Sequence, residues 1–182
     1  MTRLPELPYD SLDEAQRKVH DEITSGPRGS VRGPFSMLLH SPHLADRVQR
    51  LGEFVHYQCA VPQKLRELVV LTIARHWASD YEWAAHEPAA RRAGLTDDVV
   101  EALRRGERPA FDDPAEAETY EFCTELLRTG RVSDETFSAV NQRLGNAPTV
   151  DLVGLIGHYS LVAMTINVFE IPTRDGSAPF AT

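Results

Sequence analysis

The segment Glu67 to His86, ELVVLTIARHWASDYEWAAH, places Glu67, Ser79, Tyr81, Glu82 and His86 within one stretch of 20 residues. Side chains three, four or seven positions apart on an α-helix project from one side, so Ser79, Glu82 and His86 share a face and Glu82 lies one turn before His86. A carboxylate beside an imidazole handles protons. The imidazole titrates near neutrality, and the carboxylate fixes its ring orientation and tautomer. The same pair as an exposed intrahelical contact would contribute only about 0.2–0.5 kcal/mol. Glu67, near the start of the preceding apolar run, has a bland role open to it as well, favouring the helix dipole or pairing with Lys64 or Arg66. Tyr81 and Trp83 read as core or pocket wall, and Ser79 as the residue at the helix entry. Pro88 removes one backbone hydrogen bond and clashes with the carbonyl of Ala84, so the helix is expected to kink beside His86 or to restart at Pro88.

The other histidines carry weaker signals. His20, His40, His43, His56 and His76 read as solvated or hydrogen-bonded, whereas His158 and Tyr159 sit in an apolar helix where a buried polar group needs a partner. Metal binding is the rival use of Glu67, Glu82 and His86. The zinc-protease pattern His-Glu-x-x-His is missing, and Glu87 projects about 100° away from His86 around the helix, so no metal is expected. Cys59 and Cys123 are far apart and in neither a metal nor a redox spacing; both read as small buried thiols of a reducing compartment.

Turn and cap signals divide the chain into helices. Ser11 with Glu14 forms a capping-box pattern opening a helix to about Ser25, and GPRGSVRGP (26–34) reads as a loop. Ser41-Pro42 and Pro62 open the next two helices, and Asp80 is the expected cap of the motif helix, which Gly94 ends. Thr96 opens a short helix stopped by Gly106, Pro114 begins one to about Thr129, Ser133 another to Gly145, and Thr149 is the expected cap of the last. No run alternates like a strand, so the fold expected is all-α. ELVVLTIARHW from Glu67 and DLVGLIGHYSL from Asp151 echo each other, as two copies of one helical unit or two generic buried helices would.

At 182 residues the chain fits one domain with a sizeable core. A formal charge of −8 argues against nucleic acid, because no net positive field attracts phosphates. MTRLPELPYD lacks the apolar core of a signal peptide, so a cytoplasmic protein is expected. Residues 152–169 contain His158, Tyr159, Ser160 and Asn167, and a membrane span needs about 20 mostly apolar residues. A buried helix, with no membrane partner, is the expectation.

The motif segment resembles the carboxymuconolactone decarboxylase and alkylhydroperoxidase D superfamily. Its peroxidase branch has a glutamate twelve residues before a Cys-x-x-Cys pair, a histidine between the cysteines, and another four residues after the second. In this frame Glu67 is the glutamate, Ser79 and Glu82 stand at the two cysteine positions, Tyr81 at the intervening histidine, and His86 at the last. The frame matches and both thiols are missing. GPFSMLLHSP (33–42), AARRAGLTDDVVEAL (89–103) and LVGLIGHYSLVAMTINVFEIP (152–172) extend the resemblance over 30–172. An amino-terminal helix and loop (1–29) and a tail (173–182) flank it.

The resemblance implies a single-domain orthogonal bundle of seven to eight helices, a homo-oligomer (dimer, trimer or hexamer) and a pocket for a small-molecule substrate. It also implies a cofactor-free acid/base enzyme, a lyase acting by decarboxylation or proton transfer on a small lactone or carboxylic acid. His86 is then the acid/base, Glu82 or Glu67 orients it, and Tyr81 donates to the developing anion, with Ser79, Trp83, His158 and Tyr159 lining the pocket. A thiol peroxidase is not expected, since a serine hydroxyl and a carboxylate supply no redox chemistry. The alternative from another class is a non-catalytic binding or structural scaffold on the same helices.

Overall fold

The structure is a computed structural model, which describes residues 2–180. Among these, nine α-helices follow one another without a strand: α1 Glu14–Ser25, α2 Pro34–Leu38, α3 Pro42–Glu53, α4 Gln63–His76, α5 Asp80–Arg92, α6 Asp97–Arg105, α7 Pro114–Thr129, α8 Asp134–Leu144 and α9 Asn146–Phe169. The helix beyond the expected seven to eight is α2. Gly33, at φ +59, turns the chain into Pro34, and the five-residue helix that follows is buried at every position.

Several boundaries differ from the sequence expectation, each for a local reason. The capping box that opens α1 is Asp13 with Gln16, not Ser11 with Glu14: the Gln16 backbone N–H donates to Asp13 Oδ1 at 2.8 Å and the Asp13 N–H to Gln16 Oε1 at 3.0 Å. Ser11 instead closes a 3₁₀ turn by donating to the Pro8 carbonyl at 2.7 Å. Asp80 is the first residue of α5 and not its cap, its Oδ1 accepting from the Phe180 N–H at 2.8 Å, and Ser79 takes the N-cap position without a side-chain cap bond. Thr149 lies inside α9, its hydroxyl donating back to the Gly145 carbonyl at 2.7 Å. Pro88 does not start a new helix, and α5 runs through it.

The bundle is organised around α4. Leu65 and every position from Glu67 to Ala74 are buried, so this helix has no solvent face over two turns, as expected of an element wrapped on all sides. It packs against α5, α6, α7 and α9. One cluster joins Val69, Val70 and Ile73 of α4 to Phe122 and Cys123 of α7 and Leu152, Leu155 and Ile156 of α9. A second joins Leu68, Leu71 and Ala74 to Trp83 of α5 and Val99, Val100 and Leu103 of α6. A third packs α1 against α2 and α3 through Ile23, Phe35, Leu39 and Val48.

Helix α9 has 24 residues and a mean hydropathy of 1.6 over its most apolar window, long and apolar enough to cross a membrane. Its inner face, including His158 and Tyr159, is buried on α2 and α4. The echo between α4 and α9 ends at the acids: Glu67 bonds His86, whereas Asp151 accepts from the Ala60 N–H at 3.0 Å. Both cysteines are free and buried, and burial pushes the Cys123 thiol pKa far up.

Candidate active site

Five segments meet at one cavity of about 270 Å³: the loop before α2 with the start of that helix, the π-helical turn Phe54–Gln58 that ends α3, the first half of α5, the middle of α9, and the segment after α9 through Arg174. Tyr81, Glu82 and His86 line it from α5, His158 and Tyr159 from α9, His56 from the π turn, and Arg28 from the loop. Glu67 stands behind His86 on the buried side of α4, 4 % exposed.

His86 is held at both ring nitrogens. Nδ1 bonds Glu67 Oε2 at 2.9 Å, and Nε2 lies 3.7 Å from Glu82 Oε2, an ion-pair distance too long for a hydrogen bond. A carboxylate at Nδ1 makes that nitrogen the donor, which turns Nε2 toward Glu82 and the cavity. Glu82 Oε2 is buried without a hydrogen-bond partner. Tyr159 presents its ring edge-on to His86, with centroids 5.2 Å apart, and His56 meets it from another side at 5.9 Å.

Burial works to lower the His86 pKa, but the Glu67 hydrogen bond and the charges of Glu82 and Glu67 outweigh it, so the imidazolium is favoured above its ordinary range. Burial raises the Glu82 carboxyl, Glu67 adds to this, and His86 and Arg28 oppose it. Burial pushes His158 down to about 4, with the positive field of Arg28, His56 and His86 adding. His56 is likewise lowered to about 4 by burial and by His86, against the pull of Glu67. Tyr159 is raised well above its ordinary value by burial and the nearby carboxylates. Its hydroxyl therefore keeps its proton and sits 3.0 Å from His56 Nδ1. The cavity thus holds one imidazole biased toward its charged form beside two that burial holds neutral.

Two glycines make room for these groups. A Cβ on Gly33 would stand 2.3 Å from the Tyr81 hydroxyl, and one on Gly52 would stand 2.4 Å from Arg28 Nη2 and 2.8 Å from the His158 ring. The Tyr81 hydroxyl accepts from Arg174 Nε and Nη2, both at 3.4 Å.

Of the residues proposed from sequence, Glu67, Glu82, His86, Tyr81, His158 and Tyr159 come together here. Ser79 and Trp83 do not line the cavity. Ser79 is fully buried at the helix entry, its hydroxyl unpartnered. The Trp83 ring points the other way, into the α4 and α6 core, where its N–H donates to Glu87 at 2.9 Å. His56, read as an ordinary helix histidine, is a cavity residue, because the π turn rotates it inward. Arg28, Arg32 and Arg174 were not picked out; two arginines inside a Gly/Pro-rich loop of an acidic chain were the available signal for the first two. Neither Cys59 nor Cys123 reaches the cavity. Among the described residues no three His, Cys, Asp or Glu side chains are arranged to hold a metal ion.

The sequence profile of the carboxymuconolactone decarboxylase family matches residues 42–125, from α3 into α7, which include Glu67, Glu82 and His86. A crystal structure described as an alkylhydroperoxidase AhpD core, an uncharacterized peroxidase-related protein from Ralstonia eutropha JMP134, superposes with a TM-score of 0.77. The likeness covers 99 % of this chain and 97 % of that one at 16 % identity, which is a likeness of fold. A search of curated proteins finds no match. Profile and fold together show an alkylhydroperoxidase D-like helical fold in which residues 42–125 are similar to the carboxymuconolactone decarboxylase family.

Proposed function

We propose that the protein is a cofactor-free acid/base enzyme that decarboxylates, or moves a proton on, a small lactone or carboxylic acid. The observation that carries this reading is His86, fixed at Nδ1 by buried Glu67 while Nε2 faces the cavity beside Glu82. The raised pKa values of His86 and Glu82 suit a proton donor at neutral pH.

In the decarboxylation, the C–C bond to the substrate's carboxylate breaks and its electron pair enters a conjugated carbonyl, giving an enolate as carbon dioxide leaves. Nε2–H of His86, or the Glu82 carboxyl, hydrogen-bonds the enolate oxygen and then delivers a proton to carbon. Water restores the proton. Val162 and the Tyr159 ring supply an apolar wall beside these groups. Thiol-dependent peroxide reduction does not fit, because it needs a thiolate where this chain has Ser79 and Glu82.

The test is a paired comparison on a substrate found by screening small lactones and carboxylic acids. His86→Gln should lower kcat about 10²–10⁴-fold, the usual worth of a general acid/base. A larger loss in Glu82→Gln than in His86→Gln makes Glu82 the proton carrier; equal turnover by wild type and both variants contradicts the reading and favours a non-catalytic binding scaffold.

A further inference from the structure

The chain carries a formal charge of −8, yet Arg28, Arg32 and Arg174 all line the one cavity that holds His86. Several arginines elsewhere are matched with acids, Arg50 with Asp46 and Glu22, Arg91 with Glu87, Asp97 and Glu101, Arg143 with Glu118, while others such as Arg66 and Arg128 are not. Among the described residues none of the three cavity arginines has a carboxylate partner.

Arg28 is the most constrained of them. Its guanidinium lies over the Phe35 ring, 4.4 Å from the centroid, and Gly52 leaves the space its Nη2 occupies. Its Nε is buried and has no hydrogen-bond partner. Holding a guanidinium in place while leaving a buried donor unmet is costly unless something else meets it. Glu82 faces the same cavity but is paired with His86.

Arg174 arrives by a different route. The segment after α9 crosses α5, where the Phe180 ring meets Trp83 edge-on at 5.2 Å and the Phe180 N–H is held by Asp80. A turn in which the Thr173 hydroxyl donates to the Ser177 carbonyl at 2.6 Å sets Arg174 beside Tyr81. The tail read from sequence as a flanking extension is thus a strap that delivers a cation to the cavity mouth.

We propose that Arg28 and Arg174 form a carboxylate-holding subsite, one residue from the loop before α2 and the other from the carboxyl-terminal strap. It deepens the acid/base reading, resting on the same cavity as the substrate site, and makes these two arginines the specificity determinants for anionic substrates. A guanidinium gripping the carboxylate that is to be lost would stabilise the ground state and slow the reaction. The subsite therefore takes an anionic group that the reaction leaves in place.

Isothermal titration of the full chain with benzoate and with its uncharged counterpart benzamide tests the subsite apart from the chemistry. Wild type should bind benzoate at least tenfold more tightly than benzamide. Arg28→Gln and Arg174→Gln should each weaken benzoate about 10–100-fold, the worth of one charge-assisted hydrogen bond, and leave benzamide unchanged. Arg28→Lys should recover only part, since an ammonium lacks the planar fork. His86→Gln should still bind benzoate, which separates failure of the acid/base reading from failure of the subsite. Absence of benzoate binding, equal affinity for benzoate and benzamide, or unchanged benzoate affinity in both arginine variants would overturn the proposal. Arg174→Gln alters an exposed side chain of the strap, so it remains informative should Arg28→Gln fold poorly.

Discussion

At the residue scale, the site turns on which groups are charged. His158 has an unfolded pKa near 6.5 and a folded value of about 4, so between these the unfolded chain binds more protons and stability rises with pH. Its contribution is present above 6.5 and is lost as the pH falls through 4, on the order of 3 kcal/mol for a shift of this size. Urea denaturation of wild type from pH 7 to pH 4 should show that loss, and His158→Gln, which cannot charge, should make it shallower, with His56, likewise held down to about 4, contributing to the slope that remains. An equal slope in both proteins would mean that His158 is not held neutral by the fold. Glu82 and His86 were legible in the sequence because their spacing is helical and local, whereas Glu67, on a different helix, was legible only through the family frame that sets a glutamate twelve residues before Ser79. His56 and Arg28 were not, because neither lies on a helix face with the motif; only the π turn and the loop before α2 bring them to it.

At the element scale, α3 and α5 are shaped by what must fit between them and α9. Glycine to alanine inside a helix ordinarily stabilises by about 1 kcal/mol. At Gly52 the sign should reverse, because the new methyl meets the buried His158 ring and the Arg28 guanidinium. Gly52→Ala should therefore destabilise by about 1–3 kcal/mol in chemical denaturation, the usual cost of overpacking; a gain in stability would mean that the cavity wall is loose. Cys59 and Cys123 lie in the α4, α7 and α9 core away from the cavity, so Cys59→Ala with Cys123→Ala should leave turnover within about twofold once folding is confirmed. A collapse of activity in that folded double variant would return the chemistry to a thiol. The helix order was readable from proline, glycine and cap residues. Boundaries slipped at Ser11, whose hydroxyl goes to the Pro8 carbonyl while Asp13 and Gln16 form the capping box, and at Asp80, whose carboxylate is taken by the distant Phe180 N–H.

At the scale of the whole molecule, the outer face of α9 is apolar and exposed. Val150, Val153, Met164 and Val168 follow a helical stripe, with Val150 71 % accessible. A second copy of the chain is the expected cover, as the family resemblance implies an oligomer. Val153→Glu with Met164→Glu should reduce the mass seen by light scattering to that of one chain, and a wild type that is already monomeric would contradict this. The all-helical class followed from periodicity alone, whereas the strap over α5 did not, because Phe180 and Arg174 carry no periodic signal and are placed only by tertiary partners. In the proposed chemistry a proton from His86, or from Glu82 beside it, ends on substrate carbon, and either route needs the His86 imidazole. The most direct test is nuclear magnetic resonance of small lactones and carboxylic acids incubated with the protein in deuterated water. The account predicts a product bearing a new C–D bond with wild type, and a rate lowered about 10²–10⁴-fold in folded His86→Gln. Deuterium incorporation at the same rate in both proteins would contradict it.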